Sequence, residues 1–156
     1  MNNGISYEEF LEQHGSLTYA FVGVSMLPLL RQNKDLFTVR KKDGTRCRVG
    51  DVVLYRRPPD RYVLHRIVQV RPNDYVILGD NCVSKEYGIT DADIIGVLTG
   101  FIRGGRKHST EEPGYRLYTF LWLHTAAIRI FLKKNGFRVK RLMKKLITKR
   151  TGGAVI

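Results

Sequence analysis

The chain has 156 residues, enough for one domain with a core of its own. Its 43% hydrophobic and 26% charged content matches folded soluble proteins and excludes a wholly disordered, collagen-like or disulfide-scaffold chain. Its net charge of +13 points to anionic partners, phospholipid head groups or nucleic acid, where the excess is clustered.

The clustering is C-terminal. From Pro113 onward there is no Asp or Glu but eleven basic residues, which leaves residues 1–112 at +2. Body and tail are therefore read separately. Cys47 and Cys82 form no CxxC pair and have no histidine at metal-ligand spacing nearby, so neither a zinc site nor another cofactor is expected. Residues 1–15 lack a charged region followed by an apolar run. No secretory signal or N-terminal anchor is expected there, and the start of the chain reads as cytosolic.

In chain order, Ser6 and Glu9 are spaced as a capping box and predict a short helix over Tyr7–His14, stopped by Gly15. Short β-type runs follow at Ser16–Val22, Leu36–Lys41, Asp51–Arg56, Tyr62–Val70, Tyr75–Leu78 and Ile94–Arg103, punctuated by Asp-Gly, Pro-Pro and Pro-Asn turns. The short polar loops favour antiparallel pairing over parallel crossovers. The expected fold is mostly β: a compact, antiparallel, β-barrel-like domain over residues 1–112 with a short N-terminal helix. After the Gly104-Gly105 and Glu111–Gly114 breakers, residues 113–156 change to helical periodicity with a cationic opposite face. The apolar stretch Leu117–Leu132, broken by His124 and Arg129, is shorter than the roughly 20 residues of a spanning helix. It predicts an amphipathic interfacial helix, with an anionic membrane surface contacted through residues 115–150. Packing of Leu117–Leu132 back onto the β domain is the alternative. Trp122, Phe131 and Phe137 recur at helical spacing and not as a stacking platform, which favours lipid over nucleic acid.

Three segments could carry chemistry. Gly23-Val24-Ser25-Met26-Leu27-Pro28 places a serine between a strand end and a proline-fixed turn, where a hydroxyl can meet substrate beside backbone N–H groups; taken alone, these six residues are better explained by a polar turn residue or a helix N-cap before Met26–Leu30. His65, in the run Val63-Leu64-His65-Arg66-Ile67, shares a face with Val63 and Ile67. That placement suits a core histidine or a neutral general base. Leu78-Gly79-Asp80-Asn81 ends a strand in a turn, and by itself is a hairpin corner.

Taken in order, SM-x-P at Ser25, GDVV at 50–53, HRIV at 65–68, LGDN at 78–81 and IIG at 94–96 resemble the signal peptidase I family over about residues 20–103. They are more similar to its His-dependent archaeal and endoplasmic-reticulum branch than to its Ser-Lys bacterial branch. The resemblance implies a signal-peptidase/LexA-like fold and a serine endopeptidase acting on a peptide or protein, with Ser25 as nucleophile and His65 as its base. It implies a carboxylate that orients the imidazole: Asp80 first, Glu86 second, Asp91 and Asp93 after them. Lys41 and Lys42 lie outside any segment resembling the lysine motif of the other branch. Two departures stand out: Gly23 occupies the place where the family usually has a serine that helps the oxyanion, and no N-terminal transmembrane anchor of the family's kind is expected from the residues ahead of Ser25. A peripheral membrane or cytoplasmic location follows. A catalytically weak module that binds peptide, lipid or nucleic acid on the same fold is the other expectation.

Overall fold

The computed structural model describes residues 5–59 and 61–136. The capping box forms as expected: the Glu9 amide donates to Ser6 Oγ at 3.1 Å and the Ser6 amide to Glu9 Oε2 at 2.9 Å. It starts α1 (Tyr7–His14), which ends where Gly15 turns left-handed at φ +71°. Among the described residues eight strands follow: β1 (Ser16–Ala20), β2 (Asp35–Lys41), β3 (Val52–Arg57), β4 (Arg61–Val70), β5 (Tyr75–Leu78), β6 (Glu86–Ile89), β7 (Ile94–Arg103) and β8 (Arg106–Ser109). All pairings are antiparallel, in the order β1-β2-β7-β3-β4-β5-β6, with β8 paired to β7. The mostly-β, antiparallel expectation holds; the sheet is not closed into a barrel, since β1 and β6 end the path.

Two strands lie outside the β-type runs read from the sequence. β6 is four residues with Gly88 inside it, and β8 is Arg-Lys-His-Ser, so neither shows hydrophobic alternation. Gly104 and Gly105, with φ of +56° and +80°, form the two-residue loop of the β7–β8 hairpin, a turn that needs positive φ at both positions. A glycine pair that reads as a breaker is here a hairpin corner.

The core has two parts, one on each side of the sheet. Val52, Leu54, Leu64, Leu98 and Phe101 pack with Met26, Leu29, Leu30 and α1; Val53, Tyr55, Ile67, Tyr75 and Ile77 pack together on the other side. β3 is buried on both sides, and its uninterrupted Val-Val-Leu-Tyr run reflects that.

α2 (Pro113–His124) begins where the sequence puts the 112/113 boundary, and the first compact unit runs from Met1 to Leu123. Tyr115, Tyr118, Thr119 and Trp122, at helical i, i+3, i+4, i+7 spacing, turn toward the β domain and bond to Arg66 and Asp80. Gly50 leaves room for the helix: a Cβ there would stand 3.1 Å from Thr119 Cγ2. The other face of α2 is apolar and outward, with Leu117 59%, Phe120 55% and Leu121 50% exposed. The second unit, His124–Ile156, contains a helix over residues 126–136 with Ile128, Phe131 and Leu132 exposed. The expected basic helix beyond it, residues 137–150, lies outside the described residues. Among the described residues no helix is long and apolar enough to cross a membrane.

Candidate active site

β1 runs out at Ala20 into a loop whose shape is set by Gly23, with φ +110°, a conformation that strains any residue bearing a Cβ. Nothing stands within 4 Å of the position that Cβ would occupy, so backbone geometry, not space, selects glycine here. A serine at 23, as in the resembled family, would be strained. Met26, Leu29 and Leu30 are buried and the Leu30 amide donates to the Met26 carbonyl at 2.9 Å, which pins the loop to the core. Ser25 is left half-buried at its outer side, flanked by exposed Val22 and Val24. Among the described residues no acceptor takes the Ser25 amide N–H.

The Gly-Asp-Asn turn after β5 clamps this loop. The Asn81 amide donates to the Ser25 carbonyl at 2.7 Å and its side-chain Nδ2 to the Val24 carbonyl at 2.9 Å. Gly79 stands between the loop and His65: a Cβ on it would lie 2.9 Å from both His65 Nε2 and the Ser25 carbonyl oxygen, and 2.7 Å from Cys82 Sγ. The Nε2 edge of His65 and the backbone of Ser25 are thus brought to one point, and the absence of a side chain at 79 lets them approach.

His65 sits on β4 opposite Val53 of β3 and is only 5% exposed. Its Nδ1 is 3.1 Å from Glu86 Oε1 and 3.3 Å from the Tyr55 hydroxyl, which itself donates to Glu86 Oε2 at 2.9 Å. Arg57 Nη2 donates to Glu86 Oε1 and, at 3.4 Å, to the Tyr55 oxygen. Burial, with the Glu86 charge beside it, holds the Tyr55 phenol well above its ordinary value, so it keeps its proton and spends it on the carboxylate. Nδ1 therefore carries the imidazole proton toward Glu86 and the Tyr55 oxygen, and Nε2 presents its lone pair toward the serine loop. Burial also pushes the His65 pKa below 6.5; Glu86 opposes that shift and Arg57 adds to it.

Of the four carboxylates expected near the imidazole, Glu86 is the one bonded to it. Asp80 points away from the imidazole: its two oxygens each accept from Arg66 at 2.8 Å, and Oδ2 also takes the Tyr118 hydroxyl at 2.9 Å. Arg66 follows His65 on β4 and so faces the opposite side of the sheet, where α2 lies. Asp91 accepts from Tyr75 at 2.6 Å and pairs with Lys42 at 3.0 Å; Asp93 bonds the amide and hydroxyl of Thr90. Neither is among the groups bonded to His65. Lys41 pairs with Glu12, so both lysines are engaged away from the site. Tyr55 and Arg57 are the residues that reading the sequence missed. Their signal was the register that puts Val53, Tyr55 and Arg57 on the His65 side of the sheet, which only the pairing reveals.

Cys47 is buried, with its thiol pushed up to about 11 by burial, and Cys82 is half-buried; they are not joined in a disulfide. Among the described residues no group of three or more His, Cys, Asp or Glu side chains could hold a metal. No family model, no curated protein and no solved structure matches the chain, and the chemistry of the site rests on its geometry.

Proposed function

We propose that the protein is a serine endopeptidase in which Ser25, His65 and Glu86 act together. The observation that carries this reading is the two-sided imidazole, with Nδ1 on a carboxylate and Nε2 turned to the serine loop at Gly79. Ser25 Oγ attacks the substrate carbonyl carbon while its proton passes to His65 Nε2. The resulting imidazolium is balanced by Glu86, and the oxyanion is taken by the Ser25 amide. Collapse breaks the C–N bond as His65 returns the proton to the leaving amine. Water then attacks the acyl ester, gives a proton to His65, and releases the acid and Ser25. With Gly23 supplying no hydroxyl, one oxyanion donor fewer is expected, a loss worth about 10²–10³ in rate in other proteases. Turnover is slow or confined to well-fitted substrates.

β1, which leads to Ser25, and β6, which carries Glu86, end the sheet path and offer edges to an extended peptide. The outward apolar face of α2 and the acid-free, basic sequence that follows favour operation at an anionic membrane surface. The test is cleavage of an extended-peptide library with small residues at varied positions, read by mass spectrometry. Wild-type protein should cut, and Ser25→Ala and His65→Ala should not, while both remain folded. Intact peptides with wild-type protein, together with saturable peptide binding, would instead support the catalytically weak binding module.

A further inference from the structure

Glu86 lies two strands from His65. It pairs with Ile77 of β5, which pairs with Ile67 of β4, two residues along from His65 on the same side of the sheet. Backbones two strands apart are separated by about 10 Å. The carboxylate must therefore lean across β5, and an aspartate at 86 would be a methylene short. A glutamate on an edge strand, a quarter exposed, has many rotamers open to water. Something has to stop it over the imidazole.

We infer that Tyr55 and Arg57 are positioning residues, which reach from β3 and hold the Glu86 carboxylate so that one oxygen stays on His65 Nδ1; this rests on the peptidase reading above. Each carboxylate oxygen has its own donor, Tyr55 on Oε2 and Arg57 on Oε1, the oxygen that also meets His65. Tyr55 is fully buried, so packing fixes its hydroxyl before any charge is considered. Arg57 is held in a way that a free surface ion pair would not need: its Nε is buried and finds no acceptor among the described residues. An orphaned donor costs stability, so the placement is poorly explained by stability alone.

The two residues act differently on the base. The groups facing the imidazole are Glu86 from β6, Tyr55 and Arg57 from β3, and Cys82 and the Ser25 loop at the Nε2 edge; the Asp80 charge is nearby but locked to Arg66. Arg57 is the cation of this set, and it opposes protonation of His65. Tyr55 supplies aim, and Arg57 supplies aim and charge.

The test follows covalent labelling of Ser25 by a fluorophosphonate across the pH range where histidine titrates, beside the His65 ring-proton NMR titration, in the full chain. Tyr55→Phe keeps the ring and should lower the labelling plateau about ten- to a hundredfold, the loss of a hydrogen bond to a charged group. Arg57→Gln should move both the acid limb of labelling and the His65 titration to higher pH; Arg57→Lys should return the limb toward wild type. Wild-type rates, limb and titration in folded Tyr55→Phe and Arg57→Gln would overturn the inference. Wild-type protein that takes no label, while His65 still shifts in Arg57→Gln, would contradict the peptidase reading. In that case the pair would hold the imidazole but serve no catalysis.

Discussion

Arg66 grips both oxygens of Asp80, from Nε and from Nη2 at 2.8 Å each, one residue beyond His65 on the same strand. The guanidinium is completed by the Gly50 carbonyl at 2.9 Å and Thr119 at 3.0 Å, and the Arg66 and Asp80 side chains are both buried. β4 thus carries the proposed base on one side and, on the other, the anchor that ties α2 to the Gly-Asp-Asn turn. That turn in turn clamps the Ser25 loop.

Asp80 and Glu86 should therefore fail in different ways. Asp80→Asn leaves Arg66 charged in the core and should cost about 3–5 kcal/mol of stability, the usual result of removing one partner of a buried pair. Glu86→Gln should leave the melting temperature near wild type and lower kcat by several orders of magnitude, because the imidazole loses its orienting charge. Parallel melting and turnover measurements decide it. A large activity loss without destabilisation in Asp80→Asn would return the orienting role to that residue.

This division of labour was half legible in the sequence. Ser25 and His65 stood out because their segments come in a recognisable order, and the helix and six of the strands follow from capping, alternation and turns. The carboxylate did not, since the nearer and more prominent aspartate in Gly-Asp-Asn looks better placed than a glutamate in a strand without hydrophobic alternation. Only the pairing of β5 with β6 carries Glu86 back over the sheet. The tail helix hid its polarity for a related reason. Tyr115, Tyr118, Thr119 and Trp122 form the inward face because buried Arg66 and Asp80 need donors and acceptors, leaving the leucines and Phe120 outside.

Gly79→Ala should cut activity sharply. Its Cβ would arrive within 3 Å of His65 Nε2, the Ser25 carbonyl and Cys82 Sγ, so His65 and the Ser25 loop must part. A loss in kcat larger than any change in binding of a substrate-length peptide is the expected pattern. An alanine variant with wild-type kcat would show that the two groups do not meet at this point.

The pH dependence follows from the lowered His65 pKa. In the proposed mechanism His65 acts in its neutral form, so kcat/KM should rise with pH and level off with a midpoint below 6.5. The sign for stability runs the same way: below 6.5 the unfolded chain takes up a proton that the folded one resists, so His65 reduces stability as the solution is acidified. A kinetic midpoint above 6.5 would mean that Glu86 outweighs burial.

Asp35 gives a separate acid-sensitive anchor. Burial acts to raise its pKa, but hydrogen bonds from Arg31 and Arg103 outweigh that and bring it to about 2. Its contribution is complete above the ordinary carboxylate range and is lost as pH falls toward 2. Asp35→Asn should cost about 2 kcal/mol at neutral pH, and much less in strong acid.

At a membrane the outward face of α2 should matter as well as the basic sequence after it. Full-length protein should co-sediment with anionic vesicles at low salt and release as salt rises, with each surface-adjacent Lys or Arg worth roughly 1 kcal/mol. Phe120→Ser with Leu121→Ser should weaken binding even at low salt. Unchanged sedimentation of that variant would exclude the α2 face from the contact, and wild-type protein left in the supernatant would refute the membrane reading.

The most direct test of the central claim is the site of covalent labelling. Full-length protein is treated with an acylating or phosphonylating serine-protease probe, and the adduct is mapped by peptide mass spectrometry. One equivalent on Ser25 is predicted, absent in Ser25→Ala and greatly slowed in His65→Ala and Glu86→Gln. A folded wild-type protein that takes no label, or labels at another residue, would contradict the account.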